Sequence, residues 1–73
     1  MTRNKLVWKR NKIEGGWELK VNDEITISLD NMYGCWSVWL EANDEMTKIG
    51  DFYDHIADAK AKGLKVALAI IEY

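Results

Sequence analysis

The 73-residue sequence predicts an α+β domain, an antiparallel meander of four to five strands with one C-terminal helix packed on one face. Three observations predict it. Trp8, Trp17, Trp36 and Trp39 each lie in a short run that alternates apolar and polar side chains, the period of a half-buried strand. Turn-forming residues separate those runs: Gly15-Gly16, Asn22-Asp23, Gly34 and Asn43-Asp44. Beyond Phe52-Tyr53 the period changes, and apolar residues recur at helical spacing.

The first strand is expected at Leu6–Arg10, with Leu6 and Trp8 on one face and Val7 and Lys9 on the other. Gly15-Gly16 supplies positive φ for a turn. Trp17, Leu19 and Val21 then alternate with Glu18 and Lys20, and Asn22-Asp23 suits a two-residue hairpin turn because both side chains tolerate the left-handed region. The return strand places Ile25, Ile27 and Leu29 inward, before a loop over Asp30–Gly34. A fourth strand turns Trp36, Val38 and Leu40 inward and Cys35, Ser37, Trp39 and Glu41 outward. Asn43-Asp44 repeats the turn chemistry, and Met46–Gly50 makes a short fifth, edge strand.

Asp54 suits a helix N-cap, with Asp58 near the positive end of the helix dipole. Ile56, Ala59, Gly63, Val66, Ala67 and Ile70 form one apolar stripe that can cover the sheet. Gly63 leaves two readings open. A continuous helix carries a glycine costing about 1 kcal/mol relative to alanine, in exchange for close approach to a bulky ring. Alternatively the helix stops at Lys62, and Leu64–Tyr73 forms a strand.

Bulk properties narrow the function classes. One domain spans residues 1–73, near the lower limit for a self-sufficient core, and the eight aromatic residues (four Trp, three Tyr, one Phe) add apolar area to it. Cys35 is the sole cysteine and His55 the sole histidine, so neither an intrachain disulfide nor a zinc site of Cys and His is expected. No cofactor is expected either. The residues show no signal-peptide pattern and no apolar run near membrane-spanning length, which reads as a cytoplasmic protein without a membrane role.

The net charge of −2 hides a partition. Arg3, Lys5, Lys9, Arg10, Lys12 and Lys20 outnumber Glu14 and Glu18 at the start of the chain. Residues 21–58 hold nine acids and a single lysine, Lys48.

Three features draw attention to binding rather than catalysis. Trp39 falls on the polar face beside Glu18, Lys20, Thr26 and Ser28, where an indole can anchor a protein or stack on a base, or simply pack against Val7 or a lysine stem. Ala57, Ala61, Leu64, Leu68 and Ile71 make a second apolar line on the helix, beyond what a small sheet needs. That line points to a homodimer through the C-terminal helix, unless a curved sheet wraps both stripes. The third feature is the acidic series Asp44, Glu45, Asp51, Asp54 and Asp58, which reads as turn and cap chemistry or as a mimic of a phosphate backbone. No glycine-rich loop or paired-carboxylate motif accompanies them, so an enzyme is not expected. The candidate interaction surface is therefore Trp39, Leu64, Leu68 and Ile71. A single-stranded nucleic-acid module would instead use Lys9, Arg10, Lys20 and Trp39, against the handicap of a negative net charge.

The segments Leu6-Val7-Trp8, Gly15-Gly16-Trp17, Gly34-Cys35-Trp36-Ser37-Val38 and Asp58-Ala59-Lys60-Ala61 span nearly the whole chain. In their order the chain resembles a group of small phage and prophage proteins that pair a tryptophan-bearing sheet with a terminal Ala-Lys-rich helix. The resemblance implies an accessory protein of a bacterial host cell, acting on a host or viral macromolecule, as inhibitors of host defence do. It carries over no catalytic residues.

Overall fold

The computed structural model of the protein describes residues 6–10 and 16–72. Five strands, β1 (Trp8–Arg10), β2 (Trp17–Lys20), β3 (Ile25–Met32), β4 (Cys35–Ala42) and β5 (Glu45–Tyr53), precede one helix, α1 (Ile56–Glu72). The strands lie in the order β1-β2-β3-β4-β5, and every pair is antiparallel. The expected meander with a terminal helix on one face is the architecture found.

Alternation along the strands builds the core. Leu19, Val21, Ile27, Leu29 and Val38 point to one face and are buried there beneath Ala59 and Ala67 of the helix. Each such aliphatic side chain contributes about 1.5–3 kcal/mol on leaving water. Leu6, Trp8, Trp17, Trp36, Leu40, Ile49 and Tyr53 rim this core and extend it to the sheet edges. Small residues in the helix's buried stripe let α1 lie close to β3, β4 and β5.

The helix runs unbroken through Gly63, so the strand alternative for the last residues does not hold. A Cβ on Gly63 would stand 2.8 Å from the Trp8 ring and 3.1 Å from Ile27 Cγ2. The glycine is there because the Trp8 indole occupies the space a side chain would need.

Several local expectations are corrected. The first strand is ordered as a ladder over Trp8–Arg10 alone, shorter than Leu6–Arg10. Gly16 does not adopt positive φ; its role is close approach, since a Cβ there would overlap the Leu29 carbonyl oxygen. Asn22-Asp23 is no two-residue turn. The loop spans Val21–Glu24, and the Asn22 Oδ1 accepts bonds from the backbone N–H of Glu24 and Ile25, both at 2.8 Å. Asp30–Met32 belong to β3, leaving a two-residue turn at Tyr33-Gly34 with φ of 55° and 82°. Asn43 and Asp44, at 53° and 63°, form the matching turn, as their chemistry predicts.

The edge strand β5 is nearly twice as long as Met46–Gly50. A bulge around Gly50 lets it continue, so that Trp36 pairs with Tyr53 and Val38 with Ile49. Asp54 does not cap the helix. The first helical bonds run to the His55 carbonyl, while the Asp54 carboxylate accepts the Cys35 thiol at 3.8 Å. Gly15, Tyr73 and the charged residues Arg3, Lys5, Lys12 and Glu14 lie outside the described residues.

Candidate functional site

The helix covers one face of the sheet and leaves the other to solvent. On this open face the register places Lys9, Glu18, Ser28, Trp39 and Lys48 in one row across all five strands. A second row holds Lys20, Thr26, Glu41 and Met46, and Asp30 stands opposite Ser37. Among the described residues three lysines thus face three carboxylates, Glu18, Asp30 and Glu41.

Trp39 is fixed in place on this face. Its indole Nε1 donates to the Ser37 Oγ at 2.9 Å, and the Ser37 hydroxyl donates to the Asp30 carbonyl at 3.3 Å. The ring lies along its own strand over Ser37, which explains why a serine on a solvent-facing position is only 3% exposed. Of the packing partners expected for Trp39, Val7 is not a neighbour, whereas a lysine, Lys48, stands directly opposite it on β5. Val7 precedes β1, far across the sheet, and the Lys48 ammonium sits over the Phe52 ring at 4.3 Å and donates to the Gly50 carbonyl at 2.9 Å.

Beside the indole is a hollow of about 540 Å³ bordered by Gly16, Ser28, Asp30, Trp39 and Met46. It exists because Gly16 and Ser28 put almost no side chain into the space between Trp39 and Asp30. Met46 and Phe52, both more than half exposed, extend the apolar surface toward β5. Tyr33 stands at the tip of the β3–β4 turn with 98% of its surface in water. Sequence alternation identifies Trp39 as anomalous, but it misses Met46 and Phe52, whose exposure follows from the long, bulged β5.

The helix line is also on the surface. Leu64, Leu68 and Ile71 are 38%, 43% and 48% exposed, and Ala57 and Ala61 are exposed with them. The sheet wraps the inner stripe alone. Trp39 and the helix line therefore occupy opposite sides of the domain and do not form one site.

The nucleic-acid set is divided as well. Lys9 and Lys20 share the open face with Trp39, whereas Arg10 pairs with Trp17 on the helix side, where Lys60 stacks on the Trp17 ring at 3.8 Å. Lys20 lies 3.9 Å from Asp23.

The acidic series is likewise dispersed. Asp44 and Glu45 lie at one end of β5, and Asp51, Asp54 and Asp58 lie toward the other. Among the described residues no group of His, Cys, Asp and Glu is arranged to hold a metal ion. Among the same residues, no helix is long and apolar enough to cross a membrane.

Comparison with protein-family models, with curated proteins and with solved structures finds no match for the chain.

Proposed function

We propose that this protein is a non-catalytic interaction module whose open sheet face binds another protein, with Trp39 as the anchor. The observation that carries the reading is the indole held by Ser37 beside an unfilled hollow. An aromatic ring fixed before contact loses little side-chain freedom on binding, which is why such rings dominate binding energy at protein interfaces. The chemistry around it favours a polypeptide partner. Among the described residues three lysines are balanced by three carboxylates and give no basic field for a phosphate chain, while Met46, Phe52 and Trp39 supply apolar contact with polar groups at the rim. The role of a phage-type accessory protein in a bacterial cytoplasm, acting on a host or viral protein, is supported by the resemblance in the strand and helix motifs.

The second reading, a single-stranded nucleic-acid binder, draws on Lys9 and Lys48 standing in the same row as Trp39. One pair of measurements separates the two. Immobilised wild type should retain a protein from bacterial lysate that Trp39→Ala, folded by circular dichroism, does not. Identical capture by both proteins sinks the role of Trp39. Quenching of tryptophan fluorescence by a short oligonucleotide, lost as salt rises, transfers the face to the second reading.

A further inference from the structure

We infer that the outer line of α1 binds a second copy of this chain in antiparallel orientation, with the two-fold axis passing beside Leu64. This is independent of the open face, which lies on the other side of the sheet. The order of sizes along the line favours this pairing. Ala57 lies seven residues before Leu64 and Ile71 seven after it; Ala61 lies three before and Leu68 four after. The small residues occupy the N-terminal half and the large ones the C-terminal half, and all five are exposed.

A line graded in this way is complementary to itself only when reversed. Antiparallel pairing sets Ala57 against the partner's Ile71, Ala61 against the partner's Leu68, and Leu64 against the partner's Leu64. Every layer on either side of the axis then holds one small and one large residue, and the bulkier Leu64 pair sits at the centre, so neither end of the two helices is forced apart from a separation of about 8–10 Å. Parallel pairing would stack alanine on alanine at one end and Leu68 and Ile71 on themselves at the other, forcing the helices apart. An interface in which residue i meets j, and j meets i, is the isologous contact that closes a dimer.

The rest of the fold permits the approach. Ala59, Gly63 and Ala67 hold a different face of the helix against the sheet, about a third of a turn from this line. Two copies would meet helix to helix along this flank, leaving both Trp39 faces, which lie across the sheet from the helix, free.

The test joins sedimentation to cross-linking. Wild type should sediment as a dimer at concentrations where Leu64→Glu, folded by circular dichroism, is a monomer. The dissociation constant of the variant should rise roughly thirtyfold or more, the effect of losing a central anchor. In a Cys35→Ser background, Ala57→Cys paired with Ile71→Cys should form intermolecular disulfides, and Ala57→Cys alone should not. A wild type that is monomeric at several hundred micromolar overturns the inference, as does a dimer that Leu64→Glu leaves intact. Ready disulfide formation by Ala57→Cys alone overturns the antiparallel arrangement. The cross-linking arm decides the question even if Leu64→Glu fails to fold.

Discussion

A β-turn with both central residues at positive φ suits Asn-Gly, and this protein puts tyrosine in the first position. Tyr33 holds φ at 55° while its ring is 98% exposed. A bulky side chain in the left-handed region costs about 1–2 kcal/mol, and a ring so exposed gains little packing to offset that cost. Tyr33→Asn should therefore raise the free energy of unfolding by about 1 kcal/mol, read from the urea midpoint at constant m-value. A loss of stability would show that the ring makes contacts in the folded protein. Sequence reading treats Asp30–Gly34 as a loop because Asp30, Asn31 and Gly34 all favour turns. Pairing with β4 overrides that local preference, and only a register match with Cys35, Trp36 and Ser37 reveals it. Trp39 was legible as an indole on the wrong side of its strand. Its lock on Ser37 was not, since alternation assigns a face but says nothing of a ring folding down along its own strand.

At the scale of an element, α1 shows how far periodicity reaches. Spacing alone separates the buried stripe from the outer line, and the structure keeps them on different sides. Whether the helix survives Gly63 depends on a contact across 55 residues of sequence, with Trp8. That dependence makes a prediction. Alanine is the better helix former by about 1 kcal/mol, yet its Cβ would crowd the Trp8 ring and Ile27. Overpacking of this kind costs about 1–3 kcal/mol. Gly63→Ala should thus destabilise the protein by about 1 kcal/mol, and in a Trp8→Leu background the penalty should fall to near zero or reverse. A double-mutant cycle by urea denaturation measures the coupling, expected near 1 kcal/mol. Strict additivity would mean the ring does not rest on that glycine. The edge strand was the least legible element. Its second half, Asp51-Phe52-Tyr53, lacks alternation, and the bulge that re-pairs it is a backbone event with no hydrophobic signature.

For the molecule as a whole, strand order follows chain order, so each strand is adjacent in space to its neighbour in sequence. This is why the topology could be read directly: with turn chemistry at four junctions and one helical stretch at the end, few other arrangements bury Leu19, Val21, Ile27, Leu29 and Val38. The same locality sets the folding rate. Hairpins close over short loops before the helix must find the sheet, which keeps the contact order low for a β-containing domain. The chain contains no proline and one cysteine, so neither slow isomerisation of a prolyl bond nor disulfide exchange within the chain can delay it. Refolding from urea in dilute, reducing solution should proceed as a single exponential, complete within about a second at 25 °C. Trp8, Trp17 and Trp36 report from beneath the helix and Trp39 from the open face, so stopped-flow fluorescence samples both sides of the sheet at once. Far-ultraviolet circular dichroism should give the same rate constant. A fluorescence phase lasting tens of seconds, or a helix signal that recovers well before the tryptophans, would mean that α1 forms first and waits for the sheet. The meander would then be assembled on the helix rather than capped by it.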